Sequence, residues 1–347
     1  MSVDYKSSGV DIAAGNEVVA RIKKEVAATF TPSVLTGIGS FGSLFDLTPI
    51  TKSYQQPVMV QSIDGVGTKT IVARMMNRYD TIGMDLVSAT ANDIVVLGAK
   101  PLTLLDYVAC DRLKPEVVTT IVSGMAKACQ AAGIALVGGE TAEMPNTYLP
   151  GEHDLVGIVT GVVEKDRIIT GQSIRPGDQV LAFASSGLHT NGYSLARKCF
   201  FDVAKHSVET HLDELGQTVG EALLTPHINY TRPVHDLLEK NITIKGMAHI
   251  TGGGVIENIP RILPDDCAVT IRKDSWPILP VFTVLQSIGN IAQHEMYRTF
   301  NMGVGLVMIV DANDVDAITK ASTLPMYHIG EVSNNQSVSK EERVNIC

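Results

Sequence analysis

The apolar positions of the chain come in short runs separated by helical patterns, the alternation expected of an α/β or α+β protein. Residues 57–63 read as a short apolar strand, and the pattern over 68–77 opens a helix directly after a glycine-rich turn. A longer helical pattern covers 81–97. Strands are then expected at 102–109, 134–137 and 154–163, with a helix over 115–132 that carries proline in its first turn. Residues 166–178, DRIITGQSIRPGD, are charged and punctuated by Gly and Pro, so they mark a domain junction. One domain is expected over 1–166 and a second over 167–347. The second should hold strands at 179–183, 242–250, 268–271 and 304–310. Its helices are expected at 193–203, near 234–240, after Gly254 and between the last two strands. The tail after Val332 is polar and expected to be loosely held.

Composition narrows the function. With 347 residues, 45% apolar and 19% charged, the chain can bury two sizeable cores and needs no staples. A net charge of -9 and an aromatic share of 5%, with a single Trp, argue against nucleic-acid binding. The five scattered cysteines form no CxxC pair, which indicates neither a disulfide framework nor a thiolate zinc site. The first residues are polar without a basic-then-apolar leader pattern, and no apolar run is long enough to span a membrane, so a cytoplasmic protein without membrane partners is expected.

Gly37-Ile38-Gly39-Ser40-Phe41-Gly42 satisfies G-x-G-x-x-G, and Asp64 follows at a suitable distance, yet the dinucleotide reading fails on context. Residues 31–33 make a poor first strand, and Pro49 and Pro57 interrupt the place where the helix should run. A loop that folds over a polyphosphate, or a plain flexible turn, remains. Asp64-Gly65-Val66-Gly67-Thr68-Lys69 sits at a strand-to-helix turn, where glycines admit an anion, the helix N-terminus favours it, Lys69 can neutralise it and Asp64 can hold a hard cation. The plainer reading is that Asp64 caps the turn.

Asp85 and Asn92 are seven residues apart on one stripe of an otherwise apolar helix, with Asp93 beside them. A buried carboxylate needs a partner, either magnesium carrying nucleotide phosphates or an internal salt bridge. Glu140 and Glu143, on the Gly138-Gly139 hinge at the end of a buried strand, are candidate cation ligands or an exposed acidic turn; Glu140 is the stronger. In the second half, Ser185-Ser186-Gly187-Leu188-His189-Thr190-Asn191-Gly192 links a strand to a helix, and His249-Ile250-Thr251-Gly252-Gly253-Gly254 repeats that logic. Both suit a ribose phosphate rather than nucleophilic serine chemistry. His189 and His249 can transfer protons at neutral pH or make structural hydrogen bonds.

The ordered set GIGSFG, DGVGTK, AND, GGETAEMP, SSGLHTNGYSL, HITGGG, ENIPR and HEMYRTFNMGVG, spanning about residues 5–332, resembles the aminoimidazole ribonucleotide synthetases, or phosphoribosylformylglycinamidine cyclo-ligases. The resemblance implies an N-terminal ATP-binding domain whose strands join a second subunit in a dimer barrel, and a C-terminal mixed-sheet α/β domain that binds a ribonucleotide. It implies magnesium held by Asp64, Asp93 and Glu140. ATP would be held by Gly37, Gly39, Ser40, Phe41, Gly42, Asp64, Gly65, Gly67, Thr68, Lys69 and Asn92. Substrate would be held by Ser185, Ser186, Gly187, His189, Asn191, Gly192, Thr251, Gly252 and Gly253. Asp93, His249 and His189 would be catalytic, with His249 foremost for proton transfer. Ser40 stands where the family commonly has Gly, and Ser7 and Ala13 where it commonly has acids. Selenophosphate synthetases place a reactive cysteine near the N-terminus, whereas the first here is Cys110; thiamine monophosphate kinases lack the HEMYRTFN segment. A non-catalytic nucleotide-binding module would have lost the acids or histidines that this chain keeps.

Overall fold

In the computed structural model the described residues are 9–240, 242–335 and 339–347; Ser7 and residues 336–338 of the polar tail lie outside them. The chain divides into two compact units, one running to Ile94 and over Ala99–Asp166, the other comprising Val95–Gly98 and Arg167–Cys347.

The first unit contains α1 (Ile12–Ala27), α2 (Thr48–Ser53), β1 (Pro57–Gly65), α3 (Lys69–Met76), α4 (Ile82–Val95), β2 (Lys100–Cys110), α5 (Pro115–Ala132), β3 (Ala135–Glu143) and β4 (His153–Glu164). Helix α1 was not expected from the sequence; Asp11 caps it by accepting from the Ala13 and Ala14 amides. The strands form one sheet in the order β1-β4-β2-β3. Strands β1 and β2 flank β4 antiparallel, and β3 runs parallel to β2. A parallel neighbour needs a crossover, which α5 supplies. Pro115 starts that helix and Gly133 stops it in the left-handed conformation, φ 71°.

Helices α4 and α5 meet backbone to backbone: a Cβ on Gly83 would strike the Ile121 carbonyl oxygen, and one on Gly124 would lie 2.7 Å from the Asp80 carbonyl oxygen. Leu86, Thr90 and Ile94 of α4 cover Gly157 and Gly161 of β4, so one face of the sheet is sealed. The other face is open. Ile63, Ile158 and Leu105 stand directly opposite one another on β1, β4 and β2, and Met59 and Ile63 are 67% and 65% exposed.

The second unit contains β5 (Gln179–Ala184), α6 (Tyr193–Arg197), β6 (His211–Leu212), β7 (Gln217–Thr218), α7 (Val219–Leu223), α8 (Thr231–Glu239), β8 (Ile244–His249), α9 (Gly254–Asn258) and β9 (Cys267–Ile271). It continues through α10 (Pro280–Gly289), α11 (Gln293–Thr299), β10 (Val304–Val310), α12 (Val315–Ala321), β11 (Met326–Asn334) and β12 (Val344–Ile346). The helix expected over 193–203 is α6 followed by a π-helical turn, Lys198–Val203. Six strands make one sheet in the order β12-β9-β11-β5-β10-β8. Strand β10 is buried throughout, and Phe183, Tyr230, Met247, Leu306 and Met308 pack in the core beside it.

The end of the tail is held, not loose. Strand β12 pairs parallel with β9, Val344 is buried, and Arg343 reaches Asp265 at 3.0 Å. Its polar composition hid a single edge strand, three residues long, that borrows its ladder from β9.

Candidate functional site

The order β5-β10-β8 positions the second unit's loops. Both β5 and β8 run antiparallel to β10, so their C-terminal ends emerge at the same edge of the sheet. The loop after β5, with Ser185, Ser186, Gly187, His189, Asn191 and Gly192, therefore meets the loop after β8, with Thr251, Gly252 and Gly253. A Cβ on Gly252 would lie 3.6 Å from the Asn191 side-chain oxygen. Gly192 and Gly253 have φ of 78° and 95° and begin α6 and α9, and a side chain on Gly192 would run into the Phe300 ring.

Asn301 and Asn258 hold the two loops from behind. The Ser185 hydroxyl donates to Asn301 Oδ1 at 2.9 Å, and Asn301 Nδ2 donates to the Gly187 carbonyl at 2.8 Å. Asn258 Nδ2 donates to the Gly254 carbonyl at 2.8 Å and lies 3.2 Å from the Gly252 carbonyl. Sequence reading assigned neither Asn a role, although Asn258 lies in ENIPR and Asn301 in HEMYRTFNMGVG, because the loop that each amide braces cannot be read from the motif itself.

His189 and His249 are buried at this edge, together with His227, which sequence reading missed. His227 Nε2 lies 3.1 Å from His249 Nε2, and the His189 and His227 rings stack with centroids 3.9 Å apart. His227 sits between α7 and α8 in TPHINY, outside any recognisable motif.

In the first unit, Gly37, Gly39, Ser40, Phe41 and Gly42 form an exposed loop tip, closed at its base by the Val34–Phe45 bridge. No helix follows before Thr48, which removes the dinucleotide reading. Asp64 ends β1, and its carboxylate accepts the Gly65 amide at 2.7 Å. Gly65, Gly67 and Thr68 make the turn into α3, with Gly67 at φ 66°. Asp93 of α4 accepts from the Ser62 hydroxyl at 3.1 Å, two residues before Asp64 on the same strand. The structure thus brings Asp93 under the end of β1, while Asn92 beside it is buried.

Two expectations need correction. Lys69 was expected to meet nucleotide phosphates, but it is buried and its ammonium pairs with Asp85 at 2.8 Å. Burial pulls its pKa down while Asp85 opposes that shift. The demand for a partner to Asp85 is met by this internal ion pair. Secondly, Asp64, Asp93 and Glu140 do not assemble as one ligand set within the chain. Asp64 and the Asp106–Gly139 pair lie in one row across the sheet, with β1 and β3 at its opposite edges, so Asp64 and Glu140 are separated by about 14 Å. Glu140 is exposed and shares the open face with its partner Tyr107. Among the described residues no group of three His, Cys, Asp or Glu side chains is arranged to hold a metal ion.

A pocket of about 240 Å³ opens at the start of α3, lined by Gly67, Thr68, Arg74, Tyr148, His153 and Asp154 among others. The His153 ring lies tilted against Tyr79, at an interplanar angle of 60°, and burial lowers its pKa. Asp106 lies on the helix side of β2 over Gly139, where a Cβ would collide with its carboxylate. Desolvation pushes that carboxyl up to about 7.

The family model for AIR synthase related protein, N-terminal domain, matches residues 50–163, and the model for the C-terminal domain matches residues 175–341. The chain is 49% identical over 337 residues to the phosphoribosylformylglycinamidine cyclo-ligase of Thermoanaerobacter pseudethanolicus, covering 96% of this chain and 98% of the relative. It is 52% identical to the enzyme of that name from Trichlorobacter lovleyi, covering 90% and 89%. Among solved structures, the hydrogenase maturation protein HypE of E. coli aligns with a TM-score of 0.66 at 17% identity, covering 96% of this chain and 93% of that one. A HypE structure in complex with ATP aligns with a TM-score of 0.65 at 18% identity, covering 94% and 89%. At such identities these structures speak for the fold alone.

Proposed function

The chain belongs to the AIR synthase family, and from that premise we propose that it is an ATP-dependent cyclo-ligase of purine biosynthesis that converts formylglycinamidine ribonucleotide to aminoimidazole ribonucleotide. ATP phosphorylates the formyl oxygen, an internal nitrogen attacks the same carbon, and phosphate leaves as the imidazole closes. The observation that carries this reading is the near-full-length identity to cyclo-ligases.

The chemistry needs charge neutralisation and positioning and no enzymic nucleophile. Asp64 and Asp93, close together at the end of β1, fit a magnesium ion that supplies charge neutralisation for the transferring phosphoryl group. Gly65, Gly67 and Thr68 follow at the start of α3, where backbone amides favour phosphate. The exposed 37–42 loop is free of neighbouring groups around its glycines, which suits closure over ATP. The loops of Ser185–Asn191 and Thr251–Gly253 hold the ribose phosphate, and His249 takes part in proton transfer.

A homodimer and a cytoplasmic location belong to the same proposal. The open apolar face of the first sheet supports the dimer. ADP release with magnesium and ATP, measured with and without formylglycinamidine ribonucleotide while aminoimidazole product is followed, tests the function. Coupled formation of both products is expected. ATP turnover without the imidazole overturns the cyclo-ligase reading. Asp93→Asn should reduce turnover sharply with the fold intact, and unchanged kinetics remove Asp93 from the site.

A further inference from the structure

His227 is fixed on two sides. One face of its ring stacks on His189, with an interplanar angle of 20°, and its edge meets His249 with Nε2 to Nε2 at 3.1 Å. The stack is itself anchored. His189 adopts the left-handed conformation, φ 59°, and its Nε2 accepts the Ser186 amide at 3.2 Å. A backbone amide can only donate, so His189 Nε2 carries a lone pair and its proton sits on Nδ1. Gly305 of β10 makes the space: a Cβ there would strike the Tyr230 hydroxyl and lie 2.7 Å from His189 Cε1. Tyr230 is held in turn by donating to the Ala184 carbonyl at 2.7 Å. The far side of His227 meets Thr190, with Nδ1 to Oγ1 at 3.4 Å.

The contact between His227 and His249 imposes a rule on protons. Two imidazole nitrogens 3.1 Å apart share a hydrogen bond only when one bears a proton and the other a lone pair. The tautomers of the two rings are therefore coupled, and Nδ1 is the nitrogen through which His249 deals with other groups. Histidine used in proton transfer commonly has its reactive nitrogen set by the hydrogen bond of the other one.

We propose that His227 is a positioning residue for the ring-closure step, setting the ring plane and tautomer of His249 through the Nε2–Nε2 hydrogen bond. The inference rests on the proposed proton-transfer role of His249, but its structural half can be read without turnover. His227→Phe keeps an aromatic ring to stack on His189 and removes the hydrogen bond. His227→Gln loses the stack and keeps a polar group for His249.

The experiment follows the side-chain nitrogen shifts of isotope-labelled histidines, with the His249 signals identified by their loss in His249→Ala, alongside steady-state kinetics. In His227→Phe the His249 nitrogens should move, and kcat for aminoimidazole formation should fall about tenfold or more with KM for ATP little changed. His227→Gln should recover most of kcat. Unmoved His249 nitrogens in His227→Phe, or equal loss of kcat in both variants, overturn the inference. Should the unaltered protein fail to form aminoimidazole, the functional reading falls, and the nitrogen shifts still decide whether His227 sets the tautomer of His249.

Discussion

At the scale of single residues, the buried charges carry the sharpest consequences. Lys69 and Asp85 form an ion pair with both side chains buried, so removing one partner strands the other in a medium that cannot solvate it. Lys69→Met should destabilise the fold by about 3–5 kcal/mol in chemical denaturation, whereas Lys69→Met combined with Asp85→Leu should recover most of that loss. Simple addition of the two single effects would mean that the pair is not coupled. Asp106 provides a pH prediction. Its carboxyl is raised to about 7, so the folded protein holds a proton that the unfolded chain releases above about pH 4. The stability from the protonated acid is fully present below about pH 4 and is lost as pH rises through about 7. Asn cannot ionise, so Asp106→Asn should lie near the wild type at low pH and become increasingly the more stable of the two as pH rises through that window in denaturant titrations, and a gap that fails to widen with pH would contradict the assignment. The sequence made the need for a partner to Asp85 legible, because an acid on an apolar helix must be paired. It did not reveal that Lys69 was the partner, since DGVGTK reads equally well with its lysine facing outward.

At the scale of elements, the strands and helices with strong periodicity were legible, among them α5 and β10, whose bounds match the expected ones. The missed pieces, among them the nine-residue β11 between β9 and β5, were those held by tertiary contacts. Helix α1 buries only Val18 and Val26 among its core positions, and β12 exists by pairing with β9. The asparagine braces and His227 were invisible for the same reason, since their partners are distant in sequence. The crossing of α4 and α5 makes a prediction with an unusual sign. Gly→Ala within a helix ordinarily stabilises by roughly 1 kcal/mol. At Gly124, however, the added Cβ meets the Asp80 carbonyl oxygen at 2.7 Å, and at Gly83 it meets the Ile121 carbonyl oxygen, both of them backbone atoms that cannot rotate away. Gly83→Ala and Gly124→Ala should each lower the melting temperature, with a net loss of about 1–3 kcal/mol. A rise in either would mean that the helices are spaced more widely than the contact implies.

At the scale of the whole molecule, the sheet of the first unit is the feature that one chain leaves unfinished. Its helix side is sealed by α4 and α5, yet its other side presents Met59, Ile63, Leu105 and Ile158, with the last three in one row across three strands. An apolar sheet face of this kind exposed to water is a surface for association, and a two-fold partner would cover it with the same row from a second copy. The resemblance read from the motifs implies the same dimer barrel. Ile63→Asp places a carboxylate at the β1 end of that row, where a covered face could not solvate it. The side chain is 65% exposed in the single chain, so the substitution should leave the folded monomer intact. Sedimentation should then show the unaltered protein at twice the chain mass and Ile63→Asp at the chain mass, with an unchanged circular-dichroism spectrum. A variant that remains dimeric would exclude this face as the interface.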